Sequence, residues 1–556
     1  MTWLPHGRRR IVIAGAIAVV AAALTPAAPA LAGEGLSYQN PITADMPIAT
    51  PPTPSCTVTL AADYVTNTAT GAPQNYTGTF NPPAACPGPW AKVVLNWPGQ
   101  EAGRQYDRAG GITMGGAQIF FTSTPEPDPA GITWHASKDV TEYTSLFTAG
   151  QPYTISVPNY VSSVDTGVMH IAASLTFYQA DAQYPAPVTP SKVIGLGTQY
   201  TGGSGPMSFP LGSLPHNITR ATLEVYPKGN ACEEFWYAGV PNSFVAAHPS
   251  AGLCGGGPYR EIDASLDGTP AGATIPFPNI FTGGVNPLIW RPIPAVDAFN
   301  LLPRDISLTP FAAQLDQPGP HTITMSIANA VSYWSLTPNL LIYTDPGVSQ
   351  VTGGLLTDTL SQPGAVSQTA QTGSQHINYT VTASRSYTVA GWVQTPAGKV
   401  TTTVRRSLAF TNTNVLTLQN YRQQTSSDQS IDTTTTVAGP SGTTAHQVNE
   451  TDQLSAVEMF ALPPGTGFFV LPANVSLSTT VHVTDSANGA TTFTSALSNT
   501  TSGAGVLSEF DSGQYRLANG TDQQVYSYTD STGTCYYHTI SAAQGQVTTD
   551  KLSLSC

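Results

Sequence analysis

Short runs in which apolar and polar residues alternate recur along this chain, and Gly- and Pro-rich turns separate them. Residues 117–121, 170–177 and 321–327 are examples. A period of two puts successive side chains on opposite faces of a strand, whereas a helix needs a period near 3.6. The 556 residues include 51 Gly and 47 Pro, which leaves little room for long helices. The pattern predicts an all-β fold.

The chain is too long for a single hydrophobic core, so several domains are expected. We interpret residues 56–205 and 206–345 as two packed, jelly-roll-like β-sandwiches, with a Gly/Ser/Pro-rich linker near 195–215. Beyond residue 345 Ser and Thr dominate, but alternation persists, so 346–556 is interpreted as a third, accessory β domain. A glycosylated Ser/Thr-rich stalk is the alternative.

The first 32 residues have the features of a secretory signal peptide. Three Arg at 8–10 precede an apolar stretch at 11–24, and Ala30-Leu31-Ala32 has the small-residue pattern of a cleavage site. An uncleaved anchor is the alternative. Residues 33–55 are expected to form a Pro-rich, extended leader. The sequence thus predicts a secreted, extracellular protein with no membrane contact once the signal is removed.

The charge balance limits the kinds of partner that the protein can bind, and the cysteine content predicts disulfide bonds. Acidic residues outnumber basic ones 33 to 20, which argues against nucleic acid as a partner. Six cysteines in an exported chain are expected to be oxidised, and six allow fifteen pairings. Proximity in sequence favours three pairs: Cys56–Cys86, Cys232–Cys254 and Cys535–Cys556. The second pair would clamp the loop that begins with Glu233 and Glu234.

Common catalytic motifs are missing from the sequence. There is no Gly-x-Ser-x-Gly elbow, no His-Glu-x-x-His and no phosphate-binding loop, and the histidines lack metal-ligand spacing. We therefore expect neither a metal nor a cofactor, and carboxylates beside aromatic rings remain as candidates. One is Asp107, with Arg108 next to it and Arg104 three residues before. Such an Asp should stay ionised unless it is buried, and a structural ion pair is the alternative.

The second candidate is the pair Glu233-Glu234, followed by Phe235, Trp236 and Tyr237. Adjacent carboxylates repel each other, and flat rings exclude water and stack on sugars. The combination indicates an acid with a perturbed pKa beside a sugar-binding surface. An exposed acidic turn next to core aromatics is the alternative.

Two further clusters complete the candidates. Glu126 lies between two prolines, on a loop that they stiffen. Asn286, Trp290 and Arg291 lie in one short segment, where Trp290 can stack on a sugar and Arg291 can donate to its oxygens. An exposed turn for Glu126 and core packing for Trp290 are the alternatives. Glu261 is expected to pair with its neighbour Arg260.

These motifs follow one another in a fixed order that resembles the plant-type acidic peptide:N-glycosidase (PNGase A) family. Besides the clusters above, the resemblance rests on four segments: 257–262, 275–278, 281–293 and 327–330. The resemblance implies cleavage of the amide between an N-linked glycan and asparagine, with N-glycosylated peptides or proteins as partners. It also implies a site in the groove between the two sandwiches.

The resemblance also suggests roles for individual residues. The bacterial PNGase F enzymes use an Asp followed by Arg, which makes Asp107 the principal catalytic carboxylate and Arg108 a ligand of substrate oxygens. Glu234 matches a Glu-x-Trp element of those enzymes, and Glu126 lies in a run similar to one in plant-type members. The predicted substrate-binding residues are Arg108, Arg104, Glu233, Trp236, Trp290, Arg291 and Asn286.

Three functions remain open on the sequence. The first is a peptide:N-glycosidase that converts the glycan-bearing Asn to Asp. The second is a β-sandwich glycoside hydrolase, which would use two carboxylates to cleave a sugar–sugar bond. The third is a carbohydrate-binding surface protein without enzymatic activity.

Overall fold

The computed structural model describes residues 37–67, 75–360, 364–419, 422–459, 468–510 and 515–555. The predicted signal peptide lies outside the described residues. Within these ranges, no helix combines the length and the apolar character needed to cross a bilayer. The fold is all-β, as predicted.

The first eight strands form a jelly roll. They are β1 (Ser55–Thr66), β2 (Asn75–Phe80), β3 (Trp90–Glu101), β4 (Ala109–Met114), β5 (Ala117–Ser123), β6 (Ile132–Asp139), β7 (Gln151–Ser156) and β8 (Met169–Gln179). One antiparallel sheet has the order β1-β8-β3-β6, and the other has the order β2-β7-β4-β5. Inward side chains from both sheets, among them Trp97, Phe120 and Phe177, fill the core between them.

A second jelly roll follows. Its strands are β9 (Lys192–Gly195), β10 (Gln199–Thr201), β11 (Met207–Pro210), β12 (Ile218–Gly229), β13 (Ile262–Leu266), β14 (Thr269–Thr274), β15 (Arg304–Ser307), β16 (Thr322–Ile327) and β17 (Trp334–Thr344). The sheet orders are β10-β17-β12-β15 and β11-β16-β13-β14, with β9 added beside β17. Counted from β10, this is the strand order of the first jelly roll. The linker predicted near 195–215 is wrong, because two of these short strands, β10 and β11, lie within it.

The helices are short and lie in the connections. Among the described residues there are two α-helices, α1 (Asn242–Ala247) and α2 (Ala312–Leu315). The described residues also include six 3₁₀ helices: Thr141–Phe147, Ala231–Glu233, Trp236–Ala238, Pro249–Ala251, Pro287–Trp290 and Thr309–Phe311.

The remaining strands form one large sheet. They are β18 (Thr352–Asp358), β19 (Ala365–Thr372), β20 (His376–Thr395), β21 (Gly398–Thr417), β22 (Arg422–Gly439), β23 (Gly442–Met459), β24 (Phe468–Ala487), β25 (Ala490–Phe510), β26 (Tyr515–Asp530), β27 (Cys535–Ala543) and β28 (Gln546–Ser553). Strands β20 to β28 follow one another as neighbours, and both β18 and β19 pair with β20.

The C-terminal sheet packs against the second jelly roll. Phe410 of β21 contacts Trp236 and Tyr259 of the second jelly roll, in one shared hydrophobic core. Arg304 of β15 also makes ion pairs with Glu450 and Asp452 of β23. The region is therefore folded and not a stalk, and its accessory role stays a prediction.

Two of the three predicted disulfides are confirmed. Cys56–Cys86 and Cys232–Cys254 have Cα–Cα distances of 6.0 and 5.3 Å. The third predicted pair, Cys535–Cys556, includes Cys556, which lies outside the described residues. The Cys232–Cys254 bond closes the segment that carries Glu233 and Glu234, as expected.

Candidate active site

Asp107 and Glu126 come from neighbouring loops at one end of the first jelly roll. Asp107 lies between β3 and β4, and Glu126 lies between β5 and β6. Both carboxylates face Gly283 of the second jelly roll, where a Cβ atom would lie 2.3 Å from Glu126 Oε1 and 2.5 Å from Asp107 Oδ1. Two oxygens at 2.3 and 2.5 Å from one point are at most 4.8 Å apart. Glycine at 283 therefore leaves the space that both carboxylates occupy.

Burial makes both carboxylates weaker acids than usual. Desolvation, and next the charge of Glu234, raises the pKa of Asp107 to about 6, although Arg108 and the Gly283 N–H oppose the shift. Desolvation also raises the pKa of Glu126 to about 7, against the opposing charge of Arg291. The sequence analysis expected Asp107 to stay ionised unless it is buried. Burial does raise its pKa, so this expectation does not apply. Two acids so close together cannot both ionise easily near neutral pH.

Arginines hold the two carboxylates in different ways. Arg291, predicted to bind substrate, is 6% exposed and its Nη2 donates to Glu126 Oε2 at 2.7 Å. Arg108 is half-buried, and its Nη2 donates to Gln105 Oε1 at 2.7 Å. Arg104 lies farther out, where its Nη1 is 3.4 Å from Asp165 Oδ1. Arg291 therefore orients Glu126, whereas Arg108 stays at the edge of the site beside Asp107.

Glu234 and Lys228 bring charges from the second jelly roll to Asp107. Glu234 is half-buried after the 3₁₀ helix Ala231–Glu233, and its charge raises the pKa of Asp107. Lys228, at the end of β12, is also half-buried; burial lowers its pKa, and the charges of Glu234 and Asp107 oppose that shift. Both side chains line one pocket together with Phe277 and Phe281. The pocket joins a carboxylate, an ammonium group and two rings next to Asp107.

Glu101, the last residue of β3, is a fourth acid near the site. Its side chain is 3% exposed, and among the described residues neither of its oxygens has a hydrogen-bond partner. Burial raises the pKa of Glu101 to about 9, although the charge of Arg108 opposes the shift. An ionised carboxylate without hydrogen bonds is costly to bury, so Glu101 is neutral at neutral pH.

Glu233 is a correction to the predicted substrate-binding set. Its carboxylate is fully buried and accepts from Arg260 Nε at 2.6 Å, Val331 N at 2.7 Å and Trp334 Nε1 at 2.7 Å. Burial opposes ionisation, but Arg260 and the other donors outweigh it and lower the pKa of Glu233. A side chain without exposed surface and with its oxygens occupied cannot bind substrate directly, so Glu233 is structural.

Three other predicted substrate-binding residues are also buried. Trp236 packs edge-on against Tyr237 and close to Phe410, and its buried ring forms part of the wall of the pocket that Glu234 lines. Trp290 is 4% exposed, and its indole N–H donates to the carbonyl of Gly284 at 2.8 Å. Asn286 is fully buried and caps the helix Pro287–Trp290, where its Oδ1 accepts from Leu288 N. Trp290 and Asn286 therefore shape the turn that contains Gly283, and the core-packing alternative for Trp290 is the one observed.

The predicted pairing of Glu261 with Arg260 is wrong. Arg260 turns inward to Glu233, while Glu261 accepts from Arg385 of the C-terminal sheet and, at 2.7 Å, from the hydroxyl of Tyr259. Neighbours in sequence along an extended chain point to opposite sides, so each finds its partner elsewhere.

Several residues near the site carried too weak a signal in the sequence. Glu101 is the last residue of β3 and Lys228 the second-last of β12, so both are ordinary strand residues until the jelly rolls are placed side by side. Gly283 lies within the Gly283-Gly284 pair, where a turn is the obvious interpretation. Only the close approach of two carboxylates shows why a side chain is not tolerated there.

Comparison with known proteins assigns the chain to a family. The family model for peptide N-acetyl-β-D-glucosaminyl asparaginase amidase A matches residues 45–361. The chain is also 30% identical over 540 residues to peptide-N4-(N-acetyl-β-glucosaminyl)asparagine amidase A from Prunus dulcis, which covers 92% of each protein. The chain belongs to this amidase A family. A family model of the PNGase A C-terminal domain matches residues 378–452 of this chain.

Solved structures of bacterial enzymes are more distant from this amidase A family member. PNGase F from Flavobacterium meningosepticum is 12% identical, with a TM-score of 0.36 over 52% of this chain and 96% of that chain. PNGF-II is 15% identical, with a TM-score of 0.36 over 52% of this chain and 66% of that one. Family membership confirms the prediction of a hydrolase of the amidase type that acts on the glycan–asparagine linkage.

Proposed function

We propose that this amidase A family member hydrolyses the amide between the innermost N-acetylglucosamine and asparagine in N-glycosylated peptides or proteins, and leaves aspartate in the peptide. The observation that carries the proposal is the meeting of Asp107 and Glu126 at Gly283, with Glu234 from the second jelly roll nearby. Amide hydrolysis needs one group to take a proton from water and one to give a proton to the leaving nitrogen. Carboxyl groups with raised pKa values meet both needs near neutral pH.

Asp107 is the proposed base. Its carboxylate is half-buried, so it is accessible, and the Gly283 N–H donates to it and fixes its orientation. In the proposed reaction Asp107 takes a proton from a water molecule, whose oxygen then bonds to the amide carbon. Arg108, beside Asp107, donates to the oxygen that becomes negative as the carbon becomes tetrahedral.

Glu234 is the proposed acid. It is half-buried and comes from the second jelly roll, whereas Glu126 is 6% exposed and is held by Arg291. Protonation of the nitrogen breaks its bond to the carbon and releases the glycan as a glycosylamine. Glu126 then has a supporting role: the charge of Asp107 raises the pKa of Glu126, so Asp107 and Glu126 do not ionise together.

Export of the protein is part of the proposal. The signal peptide predicted over residues 1–32 would bring the enzyme into contact with glycopeptides outside the cell. An oxidising compartment also suits the two disulfides, Cys56–Cys86 and Cys232–Cys254. Mass spectrometry of the secreted protein, with an N-terminus beginning after Ala32, checks this part.

Product analysis tests the proposed function. A purified N-glycopeptide is incubated with the enzyme, and the peptide product is identified by mass spectrometry. The proposal predicts a peptide with Asp in place of the glycosylated Asn. A peptide that keeps a sugar on Asn would show a glycosidase instead, and an unchanged glycopeptide that binds to the protein would show a carbohydrate-binding protein.

A further inference from the structure

Residues 37–46, here called the N-terminal strap, contact the loop between β5 and β6, which carries Glu126. Tyr38 is 6% exposed. Its N–H donates to Asp128 Oδ2 at 2.9 Å, and its hydroxyl donates to the main-chain carbonyl of Glu126. One residue of the strap therefore holds the loop between β5 and β6 at two points, on either side of Pro127.

The ring of Tyr38 also contacts the arginine that holds Glu126. The guanidinium carbon of Arg291 is 5.2 Å from the centroid of the Tyr38 ring. On its other side Arg291 Nη2 donates to Glu126 Oε2 at 2.7 Å. A cation over an aromatic face, away from water, is held more firmly than one at the surface. Tyr38 thus fixes both the backbone of Glu126 and the cation that orients its carboxylate.

The rest of the strap is bound to the C-terminal sheet. Gln39 N donates to the carbonyl of Gly545 at 2.9 Å, and Ala44 N donates to Gln524 Oε1 at 2.6 Å. Gly545, in the turn between β27 and β28, has a φ of +72°, and a Cβ atom there would lie 2.5 Å from the Tyr38 Cβ. The closeness of this contact requires glycine at 545.

We infer that Tyr38 is a positioning residue for Glu126 and Arg291, and that the last strands of the C-terminal sheet hold Tyr38 in place. This inference rests on the proposed function, because it assigns Tyr38 to the reaction through Glu126. Tyr38 and its neighbours in the N-terminal strap thus connect the β5–β6 loop of the first jelly roll to the last strands of the C-terminal sheet. The C-terminal sheet then contributes to turnover without contacting substrate.

Replacement of Tyr38 tests the positioning role. Tyr38→Leu removes the ring from Arg291 and the hydroxyl from the loop, and should lower kcat on a glycopeptide by about 10- to 100-fold, as a misplaced group near reacting atoms does. KM should change much less. Tyr38→Phe keeps the ring and should restore most of the lost kcat. Tyr153→Phe is the matched control, since Tyr153 also donates to a main-chain carbonyl, that of Leu60, away from the site.

A pH–rate profile separates positioning from general loss of structure. Arg291, Asp107, Glu101 and Tyr38 face Glu126, and Arg291 lowers its pKa. Release of Arg291 in Tyr38→Leu should therefore raise the pKa of Glu126. The part of the pH–rate curve that follows the ionisation of Glu126, here called the Glu126 limb, should then move to higher pH. That limb is identified in wild type as the one that Glu126→Gln removes. A merely structural role of Tyr38 would lower the melting temperature and leave the limb where it is.

A second variant acts from the C-terminal sheet. Gly545→Ala places a methyl group against Tyr38, whereas Gly533→Ala, in the preceding turn, meets nothing within 4 Å. Both glycines have a positive φ, +72° and +96°, so both variants carry the same kind of backbone strain. Gly545→Ala should lower kcat and move the limb as Tyr38→Leu does, and Gly533→Ala should do neither. If Tyr38→Leu fails to fold, Gly545→Ala with its control Gly533→Ala decides the matter.

The outcomes separate the strap from the proposed function. An impaired Glu126→Gln together with wild-type kcat and an unmoved limb in Tyr38→Leu and Gly545→Ala would overturn the strap inference alone. Wild-type turnover by Glu126→Gln would instead remove Glu126 from the proposed function, and the strap inference with it.

Discussion

The two jelly rolls have the same strand order, yet they supply different sets of charged groups to the site. In each, counted from β1 and from β10, the connections after the third and the fifth strand reach the site: these carry Asp107 and Glu126 in the first, and Glu234 and Gly283 in the second. The first jelly roll contributes three acids with raised pKa values, Asp107, Glu126 and Glu101. The second contributes one acid, Glu234, together with the cations Lys228 and Arg291.

The comparison extends to the acids themselves. Glu233, in the second jelly roll, is buried with Arg260, two main-chain N–H groups and an indole as donors. Glu101, in the first, is buried to a similar extent without a hydrogen-bond partner among the described residues. Burial alone therefore does not distinguish a structural acid from one near a site. The number of donors does, because it determines whether the pKa falls or rises.

The largest effect is expected at the contact between the jelly rolls. Gly283→Ala puts a methyl group in the space of the Asp107 and Glu126 carboxylates and should lower kcat/KM by about 100-fold or more. Gly202→Ala is the control, since nothing lies within 4 Å of its Cβ position and neither glycine has a positive φ. Steady-state kinetics on a glycopeptide measures both. Equal activity of the two variants would show that the jelly rolls do not meet at Gly283.

The next effect concerns the fully paired acid. Glu233→Gln removes the charge that Arg260 needs and should destabilise the fold by about 3 to 5 kcal/mol, the usual cost of leaving a buried partner uncompensated. Chemical denaturation measures the loss. Activity per folded molecule should stay close to wild type. Intact stability with lost activity would place Glu233 in the site after all.

A smaller effect is expected at Lys228 of the second jelly roll, whose positive charge acts on Asp107 of the first. Its ammonium group lowers the pKa of Asp107, so Lys228→Met should raise that pKa. Activity that needs ionised Asp107 is lost as pH falls through its pKa, and in the variant this loss should begin at higher pH. A pH–rate profile checks the shift, and an unmoved acid limb would separate Lys228 from Asp107.

The smallest effect is a gradual change of stability with pH. Burial raises the pKa of Glu101 to about 9 and the pKa values of Asp297 and Asp522 to about 8. A carboxyl group whose pKa is higher in the folded state stabilises the protein below its unfolded pKa, and this contribution is lost as pH rises through the folded value. The melting temperature should therefore fall by several degrees between pH 5.5 and pH 9. Glu101→Gln should reduce this fall, and a melting temperature that rises with pH would contradict the shifts.

The sequence predicted the fold class and identified the loops that contribute carboxylates to the site. Alternating runs and turn residues are local features, so the two jelly rolls followed from them. The order of motifs identified the segments of Asp107, Glu126 and Glu234, which the structure brings to one place. The sequence assigned Glu234 to catalysis and Glu233 to substrate binding, but it could not show that Glu233 is fully paired. Its donors are Arg260 and residues 331–334, and the latter lie about a hundred positions away.

Other features depend on packing that no local pattern reveals. The pKa of Asp107 is set by burial against the second jelly roll, and this outweighs the arginine beside it in sequence. The Ser- and Thr-rich strands after residue 345 lack apolar runs, and only the assembled sheet shows that Phe410 and its neighbours cover the second jelly roll. The predictions failed where a residue's environment is set by residues distant in sequence and not by its neighbours in the chain.

Asp107→Asn tests the central claim most directly. The change is nearly isosteric and removes the proposed base, so turnover of a glycopeptide to the Asp-containing peptide should fall by about 100-fold or more while the melting temperature stays close to wild type. Both quantities are measured on the same purified sample, with Glu233→Gln as the variant expected to behave in the opposite way. Near wild-type turnover by Asp107→Asn would contradict the account.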